Sequence, residues 1–413
     1  MESVILHCDL NNFYASVECL YNPSIRDLPV AVCGDPDLRH GIILAKNYIA
    51  KRCGVITGEV IWQAKQKCPG LKVVKPNYPL YIRFSKQARE IYSRYTNHIE
   101  AFGIDECWLD VSGSTRLFGE GEKIADKIRQ TIRDELGITA SIGVSFNKIF
   151  AKLGSDLKKP DATTVITRGN YKQLVWGLPV DELLYVGRST RRKLYRVGIY
   201  TIEDLATASV KFLHKLLGKW GDTLWTFANG YDTSPVMPME FENTIKGIGN
   251  SMTTARDLLN DEDVKLTMYV LSESVAERLR SHNFKGRTVQ IYIKDNELAS
   301  IERQSKLDQY SCTSSDIALK AMEIFRRNWD WAKPVRSLGV RVTDLVTADT
   351  CTQLSLFDDY NRSIKKELLE ASIDDIRRRF GHYAVLRALF LKDRALNANP
   401  VEDNVIHPVS YFR

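Results

Sequence analysis

The sequence predicts an α+β fold spread over several domains, and three observations support this prediction. A short apolar run at residues 4–8 ends at Asp9 and is typical of a buried strand. A long amphipathic segment, residues 81–98, precedes the strand-like pair IEAFGIDECWLDVSGS and ITASIGVSF. Further along, RTVQIYIKD and RSLGVRVTDL alternate like strands beside helical patterns near residues 263–281 and 315–329. The chain therefore combines sheets and helices in at least two parts.

Composition limits the class of protein only loosely. A chain of 413 residues has room for two to four domains, and its 58 Lys and Arg against 51 Asp and Glu would suit a polyanionic partner. The eight cysteines include no CxxC pair, which argues against a zinc ribbon or a disulfide framework. No apolar run approaches the roughly 18 residues of a membrane span, and the N-terminus lacks a signal-peptide pattern. We therefore expect a cytoplasmic protein without a membrane partner.

Local patterns divide the chain further. FYASVECLYN and ILAKNYIAKRCG are predicted as helices on either side of a strand, LPVAVCG. Residues 166–233 are predicted to form short helices, with a helix-hairpin-helix around Val186 and Gly187. The breaker-rich stretch SPVMPMEFENT is predicted as a linker. Past Asp344 the chain becomes polar, and one further helix is predicted in SIKKELLEASIDDIRRRFG.

The adjacent acids Asp105 and Glu106 impose a geometric condition on any shared site. Neighbouring residues of a regular strand point to opposite faces, so both side chains reach one site only at a bend or a strand end. Together with Asp9 they would supply three hard oxygen donors, the kind that Mg²⁺ prefers. Taken alone, such an acidic pair is more often a solvated turn. Asp110 is predicted to cap a turn rather than to bind a metal.

Four motifs in the first half of the chain resemble the Y-family DNA polymerases. They are DLNNFYASVE, ILAKNYIAKRCGV, GIDECWLDVSGS and SIGVSFNKIFAKLGSDLKKP, in the order and spacing of that family. The likeness continues through IKGIGNSMT, VRSLGVRVTDL and QLSLF and extends to about residue 385. Asn11 replaces the second Asp that is common in the DinB branch, so the motif looks closer to the UmuC-like branch. The tail resembles that of Gram-positive UmuC-like proteins.

The resemblance implies a right-hand polymerase fold with four domains and a tail. The expected divisions are palm 1–10 and 75–165, fingers 11–74, thumb 166–233, linker 234–242, little finger 243–346 and tail 347–413.

The resemblance also implies the residues of a catalytic metal site. Asp9, Asp105 and Glu106 match the family's metal-binding carboxylates, and the backbone carbonyl of Leu10 is an expected further ligand. The implied cofactor is a pair of Mg²⁺ ions, with Mn²⁺ as a substitute. Two such ions about 3.5–4 Å apart activate a 3′-hydroxyl and stabilise the leaving pyrophosphate.

Four positions match the family's binding site for the incoming dNTP. Tyr14 matches an aromatic steric gate that excludes a ribose 2′-hydroxyl, although a core aromatic is the ordinary interpretation of such a Tyr. Tyr48, Lys51 and Lys159 match positions that hold the triphosphate, where a cation offsets the charge of the phosphates. Lys51 stands where many relatives have Arg. A compact ammonium group there replaces a planar guanidinium, which can donate two parallel hydrogen bonds to a phosphate.

Two further segments are expected to bind macromolecules. In the thumb hairpin, primer-template DNA would contact backbone N–H groups and basic side chains at Gly187, Arg188, Arg191 and Arg192. Tyr185 stands where this hairpin often has Gly. In the tail, the peptide QLSLF resembles the motif that binds the bacterial sliding clamp (the beta subunit) through Gln353, Leu354, Leu356 and Phe357. Taken alone, the basic run is more often a solvated helix face, and the alternative for QLSLF is an ordinary strand fragment.

The implied function is low-fidelity translesion DNA synthesis by a monomeric, clamp-tethered DNA-directed DNA polymerase. Two alternatives come from other classes. A catalytically inactive adaptor of the same fold would not need Asp9, Asp105 and Glu106 to be intact. A palm-type nucleotide cyclase would share the paired carboxylates but would not need a thumb hairpin, a little finger or a clamp peptide.

Overall fold

The computed structural model of the protein describes residues 3–34, 41–241, 244–350, 360–393 and 396. The chain divides into two compact units. Of the described residues, the first unit contains 3–34 and 42–241, and the second contains 41, 244–350, 360–393 and 396. Among the helices in these ranges, none combines the length and the apolar character that crossing a membrane requires.

The first unit contains strands and helices in alternation. Its strands are β1 (Ile5–Leu10), β2 (Val30–Cys33), β3 (Ile43–Lys46), β4 (Lys72–Val74), β5 (Ile99–Ala101), β6 (Glu106–Asp110), β7 (Ala140–Ser145) and β8 (Thr163–Ile166). Its helices are α1 (Phe13–Tyr21), α2 (Tyr48–Arg52), α3 (Ile61–Lys67), α4 (Tyr78–Ser93), α5 (Thr115–Phe118), α6 (Gly121–Leu136), α7 (Lys148–Leu157), α8 (Arg188–Tyr195), α9 (Ile202–Thr207), α10 (Val210–Leu217) and α11 (Lys219–Ala228).

A five-stranded sheet with the order β5-β6-β1-β7-β8 forms the centre of this unit. Strand β1 is buried along its whole length and pairs antiparallel with both β6 and β7. Because side chains alternate along a strand, its two faces differ. Leu6, Cys8 and Leu10 enter a core that includes residues of α4 and α6, whereas Ile5 on the opposite face packs with Trp108 and Ala151.

Helix α7 lies unusually close to the sheet. A Cβ atom at Gly143 of β7 would overlap the carbonyl oxygen of Ala151 and lie 2.5 Å from the amide nitrogen of Ser155. Only glycine permits so close an approach of two backbones. The result is that side chains of α7 reach the face of the sheet that carries the alternate residues of β1.

A small three-stranded sheet, with the order β3-β2-β4, corrects one prediction from the sequence. ILAKNYIAKRCG was predicted as a single helix, but residues Ile43–Lys46 form strand β3 and pair antiparallel with β2. The helix begins only at Tyr48, because the Asn47 side chain accepts a hydrogen bond from Ala50 N and caps it. Residues Ala31, Ile43, Ala50 and Val55 belong to the core of this layer.

The predicted helix-hairpin-helix region consists of short helices that share a core with residues of α7 and β8. Val180, Leu194, Ile202 and Leu224 are among its buried residues. Tyr185 keeps the left-handed backbone conformation, with φ 71°, that the glycine common at this position would adopt easily. The substitution therefore preserves the turn at the hairpin and leaves an exposed ring there.

The second unit is a four-stranded antiparallel sheet with helices packed against it. Its elements are β9 (Gly247–Leu258), α12 (Asp261–Ser281), β10 (Phe284–Asp295), β11 (Ser300–Ser311), α13 (Ser314–Asn328), β12 (Val335–Thr347) and α14 (Tyr360–Phe380), and its strand order is β11-β10-β12-β9. Residues of α12, α13 and the inner strands form one core, which also includes Phe390 and Leu396.

The predicted tail helix is present as α14 and is bound to this unit by buried charges. Arg280 of α12 contacts Asp374 at 2.7 Å and Glu370 at 2.6 Å. Glu370 also accepts hydrogen bonds from the Ser314 backbone and hydroxyl. Helix α14 is thus packed against the second unit through its middle and later turns. The finer division into palm, fingers, thumb and little finger stays a prediction.

Candidate active site

The three predicted carboxylates come together at adjacent ends of β1 and β6. Asp9 and Glu106 are directly opposite each other in the antiparallel register, so both side chains lie on the same face of the sheet. Asp105 precedes β6, which begins at Glu106, and its carbonyl accepts a hydrogen bond from Leu10 N at 3.1 Å. As expected from the sequence, Asp105 lies at a strand end. The side chains of Asp105 and Glu106 are therefore not forced to opposite faces of the sheet.

Helix α7 contributes a counter-charge that sequence reasoning missed. Lys152 Nζ lies 3.4 Å from Asp9 Oδ2, 3.1 Å from Glu106 Oε1 and 3.0 Å from Asp156 Oδ2. Just beyond the helix, Lys159 Nζ lies 2.7 Å from Asp9 Oδ2 and 2.8 Å from Asp156 Oδ1. The spacing of Lys152, Asp156 and Lys159, four and then three residues, is the signal that could have revealed this cluster.

Burial and charge act on these carboxylates in different proportions. Burial raises the pKa of Asp9, and the positive charges of Lys159 and Lys152 only partly oppose it. Burial, assisted by the charges of Asp9 and Glu106, raises the pKa of Asp105 to about 7. For Glu106, burial is outweighed by its interactions with His7 and Lys152, which lower the pKa to about 2. The three acids therefore do not ionise alike.

His7 lies behind Glu106 and was also missed from the sequence. Its Nδ1 is 2.9 Å from the hydroxyl of Ser155, and that hydroxyl donates to the carbonyl of Lys152. Its Nε2 lies 3.5 Å from Glu106 Oε2, and within the described part of the chain neither of these two buried atoms has a hydrogen-bond partner. The ring also packs edge-on against Trp108, with centroids 5.3 Å apart.

The donor set fits a hard divalent cation in kind. Asp9, Asp105 and Glu106 supply carboxylate oxygens, one of which is a buried atom without a partner. In the described ranges, however, no three His, Cys, Asp or Glu side chains are already arranged as a ligand set. Lys152 and Lys159 instead hold the carboxylates through ion pairs. Cation binding at these residues thus requires that the lysine contacts rearrange.

Tyr14 is fixed in a cluster of aromatic side chains near this site. Its ring stacks on that of Tyr81, with centroids 4.3 Å apart and planes at 11°, and meets Tyr78 edge-on at 5.8 Å. Tyr14 is half-buried, and burial together with the charges of Tyr78 and Asp105 raises the pKa of its hydroxyl. The hydroxyl is therefore neutral at neutral pH, and the ring lies close enough to Asp105 for the charge of that residue to affect its pKa.

The other residues predicted to bind the nucleotide differ in their burial and in their contacts. Tyr48 is half-buried, and its hydroxyl pKa, raised mainly by burial, also responds to the charges of Lys159 and Asp9. Lys51 is exposed, and its Nζ lies 5.7 Å from the centre of the Tyr48 ring. Among the described residues, Lys159 but not Lys51 forms an ion pair with one of the three predicted carboxylates, Asp9.

The predicted DNA-binding residues form a separate group around the start of α8. Gly187 precedes the helix, and Arg188, Arg191 and Arg192 are exposed on its first turns. Arg191 is partly neutralised by Asp181, whose carboxylate lies 2.9 Å away.

The predicted clamp-binding residues Gln353, Leu354, Leu356 and Phe357 lie outside the described residues.

The prediction for Asp110 agrees with observed contacts. Asp110 Oδ1 accepts hydrogen bonds from the backbone N–H and the hydroxyl of Ser112, at 2.9 and 2.6 Å, so Asp110 caps a turn as expected. Cys107, which follows the acidic pair, is buried in the core beside β1.

Comparisons with known families cover most of the chain. The impB/mucB/samB family matches residues 8–156, and its C-terminal domain matches residues 245–356. A thumb domain described for DNA polymerase-iota matches residues 182–232. A solved Y-family DNA polymerase chimera has the same fold, with a TM-score of 0.74 at 24% sequence identity, and covers 83% of this chain and 99% of its own.

Full-length relatives are similar over nearly the whole sequence. A protein named DNA polymerase IV from Acetivibrio thermocellus is 62% identical over 96% of this chain and 100% of its own length. The DNA polymerase IV 2 of Bacillus subtilis is 37% identical over 94% of this chain and 95% of its own. The chain therefore belongs to the Y-family of DNA polymerases, and the predicted enzyme class, a DNA-directed DNA polymerase, is confirmed. Its closeness to a UmuC-like branch stays a prediction.

We predict that Asp105→Asn changes how the stability of the metal-free protein depends on pH. An unfolded aspartate has a pKa near 3.9, whereas that of the folded Asp105 is about 7. Between these two pKa values the folded state binds more protons than the unfolded state, so the free energy of unfolding of the wild type falls as pH rises. Asparagine does not titrate, so the variant does not lose stability in this way. Relative to the wild type, the variant should gain on the order of 2–4 kcal/mol from about pH 4.5 to pH 7.5.

Urea denaturation in the presence of EDTA measures this difference. Asp134→Asn, which removes an exposed aspartate from α6, is the control for the loss of one negative charge. Parallel pH profiles for Asp105→Asn and the wild type would contradict the assignment of a buried, proton-binding Asp105.

Proposed function

We propose that this protein carries out translesion DNA synthesis, transferring a nucleotide from a dNTP to a primer 3′-hydroxyl opposite damaged templates. The observation that carries the proposal is the pairing of Asp9 with Glu106, next to which lies Asp105, together with the 2.7 Å contact of Lys159 Nζ with Asp9. A carboxylate cluster beside a cation suits a reaction in which metal-bound phosphates approach a hydroxyl. The names of the full-length relatives support the same activity.

In this proposal the carboxylates hold two Mg²⁺ ions, or Mn²⁺ in their place, together with the backbone carbonyl of Leu10. The bound cations supply Lewis acidity for the 3′-hydroxyl and for the leaving pyrophosphate. Asp9 and Glu106 are positioned in advance by their strand register, which fixes both backbones before any ligand arrives. Asp105 would hold a cation as the ionised carboxylate, a form that a positive charge favours and that burial and the neighbouring acids oppose.

The lysines have two roles in the proposed cycle. Without substrate, Lys152 and Lys159 offset the repulsion among the acids, since each contacts Asp9. When a dNTP binds, Lys159 would turn from Asp9 to the triphosphate, with Tyr48 and Lys51 as further contacts, and would offset charge that develops on the phosphates. Lys152, whose pKa is raised by Glu106 and Asp9 against the opposing effect of burial, stays charged at neutral pH.

DNA and the sliding clamp are the proposed macromolecular partners. Gly187 and the exposed arginines of α8 would contact the phosphates of primer-template DNA without reading sequence, as a polymerase requires. The clamp proposal rests on the peptide QLSLF, which has the apolar and glutamine anchors of a groove-binding peptide. A monomer in the cytoplasm is the state in which we expect the protein to act.

Primer extension with Mg²⁺ on undamaged and abasic templates tests the proposed activity. We predict that the wild type extends both templates and that Asp105→Ala/Glu106→Ala lowers the rate at least about a thousandfold, because the carboxylates that hold the cations are lost. The matched control is Asp134→Ala/Glu135→Ala, an adjacent acidic pair on α6 that should leave extension unchanged. Absence of extension by the wild type, even with the clamp present, would instead favour the inactive adaptor.

We predict that Tyr14→Ala admits ribonucleotides while dNTP incorporation remains detectable. The Tyr14 ring stacks on that of Tyr81, and in the proposed steric-gate role its removal would open the space that a 2′-hydroxyl needs. Discrimination between a dNTP and its ribonucleotide should fall at least about tenfold. Single-nucleotide incorporation assays measure both rates, with Tyr14→Phe as a control that keeps the ring. Unchanged sugar discrimination in Tyr14→Ala would refute the steric-gate role.

We predict that alanine at Gln353, Leu354, Leu356 and Phe357 removes stimulation by the clamp but spares basal synthesis. A tethered site gains about 10²–10⁴ in effective affinity without any new catalytic contact, so only that gain is lost. Alanine substitution keeps the chain length between β12 and α14 constant. Primer extension with and without the clamp separates the two activities. Loss of basal synthesis would indicate a structural role for these residues.

A further inference from the structure

The turn that carries Lys159 is tied to the end of the catalytic strand. Residues 158–162 join α7 to β8, and Lys159 projects from this turn to Asp9. Two residues later, the backbone N–H of Asp161 donates to Asn11 Oδ1 at 2.9 Å. Asn11 is itself buried, two residues past Asp9, and its amide nitrogen donates to the hydroxyl of Ser141 at 2.9 Å. The turn and the carboxylate strand are thus connected at both Lys159 and Asp161.

The carboxylate of Asp161 forms ion pairs with two arginines of α6. Arg129 Nη2 lies 3.0 Å from Asp161 Oδ1, and a guanidinium nitrogen of Arg133 contacts Oδ2. Arg129 also donates to the backbone carbonyl of Asp161 and to Asp126 Oδ1, the latter at 2.8 Å. Such forked contacts fix the direction of a carboxylate as well as its position. They hold Asp161 in a left-handed conformation, with φ 51°.

The proposed chemistry makes no use of this group. Asp161, Arg129 and Arg133 are not among the carboxylates or the triphosphate-binding positions. Polar contacts from three residues nevertheless converge on Asp161, two places after Lys159. A lysine side chain is long and flexible, so its placement depends strongly on how firmly its backbone is held. A fixed turn lowers the ordering cost of placing the ammonium group at an anion.

We propose that Asp161, held by Asn11, Arg129 and Arg133, is a positioning residue for Lys159 in nucleotide binding. This inference rests on the proposed function, in which Lys159 contacts the triphosphate of the incoming dNTP. The two arginines also neutralise the Asp161 carboxylate, so the anion that organises the turn does not repel the phosphates. Asn11 therefore has a role of its own, because its side-chain oxygen accepts the hydrogen bond from the Asp161 backbone.

The direct test is single-nucleotide incorporation by the full-length protein with Asp161→Asn. Asparagine tolerates the left-handed region but loses the charge that pairs with the arginines. The apparent KM for dNTP should rise about five- to tenfold while kcat stays within about twofold, since binding is affected rather than chemistry. Glu135→Gln, which breaks an exposed pair between α6 and Arg94, is the matched control and should leave KM unchanged.

A double-mutant cycle with Lys159→Ala separates positioning from a general loss of structure. If Asp161 acts through Lys159, Asp161→Asn should add nothing to the KM of Lys159→Ala. Arg133→Gln provides a second variant that is expected to fold, because the Arg133 side chain is 46% exposed, and it should raise KM in the same way.

The possible results distinguish this inference from the proposed function. A raised KM in Lys159→Ala with no change in Asp161→Asn and Arg133→Gln overturns the positioning role and leaves the proposed function intact. Additive effects on KM, or a fall in kcat at constant KM, also overturn it. An unchanged KM in Lys159→Ala refutes the triphosphate role of Lys159 and the inference with it.

Discussion

The antiparallel pairing of β1 with β6 is the constraint on which the rest of the site depends. It places Asp9 opposite Glu106 and leaves Asp105 at the start of the strand, so three acids share one partly buried region. Such a cluster is unfavourable by itself, because like charges repel and burial opposes ionisation. Lys152 and Lys159 offset that cost through contacts of 2.7–3.4 Å with Asp9 and Glu106. The same balance of charge therefore affects both the stability of the metal-free protein and its ability to bind cations.

Those lysines reach the sheet because of how α7 packs and ends. Gly143 lets α7 approach β7, which places Lys152 over the paired carboxylates. The turn after α7 then directs Lys159 to Asp9, and Asp161 secures that turn to β1 and α6. The residues proposed to bind metal and those proposed to bind nucleotide are therefore supported by the same few elements. A change in this turn is expected to affect nucleotide binding more than the carboxylates.

Sequence reasoning succeeded where chemistry is local and failed where it depends on distant pairing. The adjacent acids Asp105 and Glu106 implied a strand end, which β6 confirms. Ile43–Lys46 was predicted as helix but forms a strand, because pairing with β2 outweighs its local pattern. Strands β9 and β11 and helix α6 were not predicted. Lys152 and His7 resemble ordinary core or surface residues until α7 is packed against β1, so their role could not be predicted without the fold.

The central claim is that Asp9, Asp105 and Glu106 form one site for two divalent cations. Titration with Mn²⁺ followed by electron paramagnetic resonance tests it most directly, using a complex with primer-template DNA and a non-hydrolysable dNTP. We expect the wild-type protein to bind two Mn²⁺ ions beyond those held by DNA and nucleotide alone. We expect both ions to be lost in Asp9→Ala and in Asp105→Ala/Glu106→Ala. Equal Mn²⁺ binding by the wild type and these variants would contradict the account.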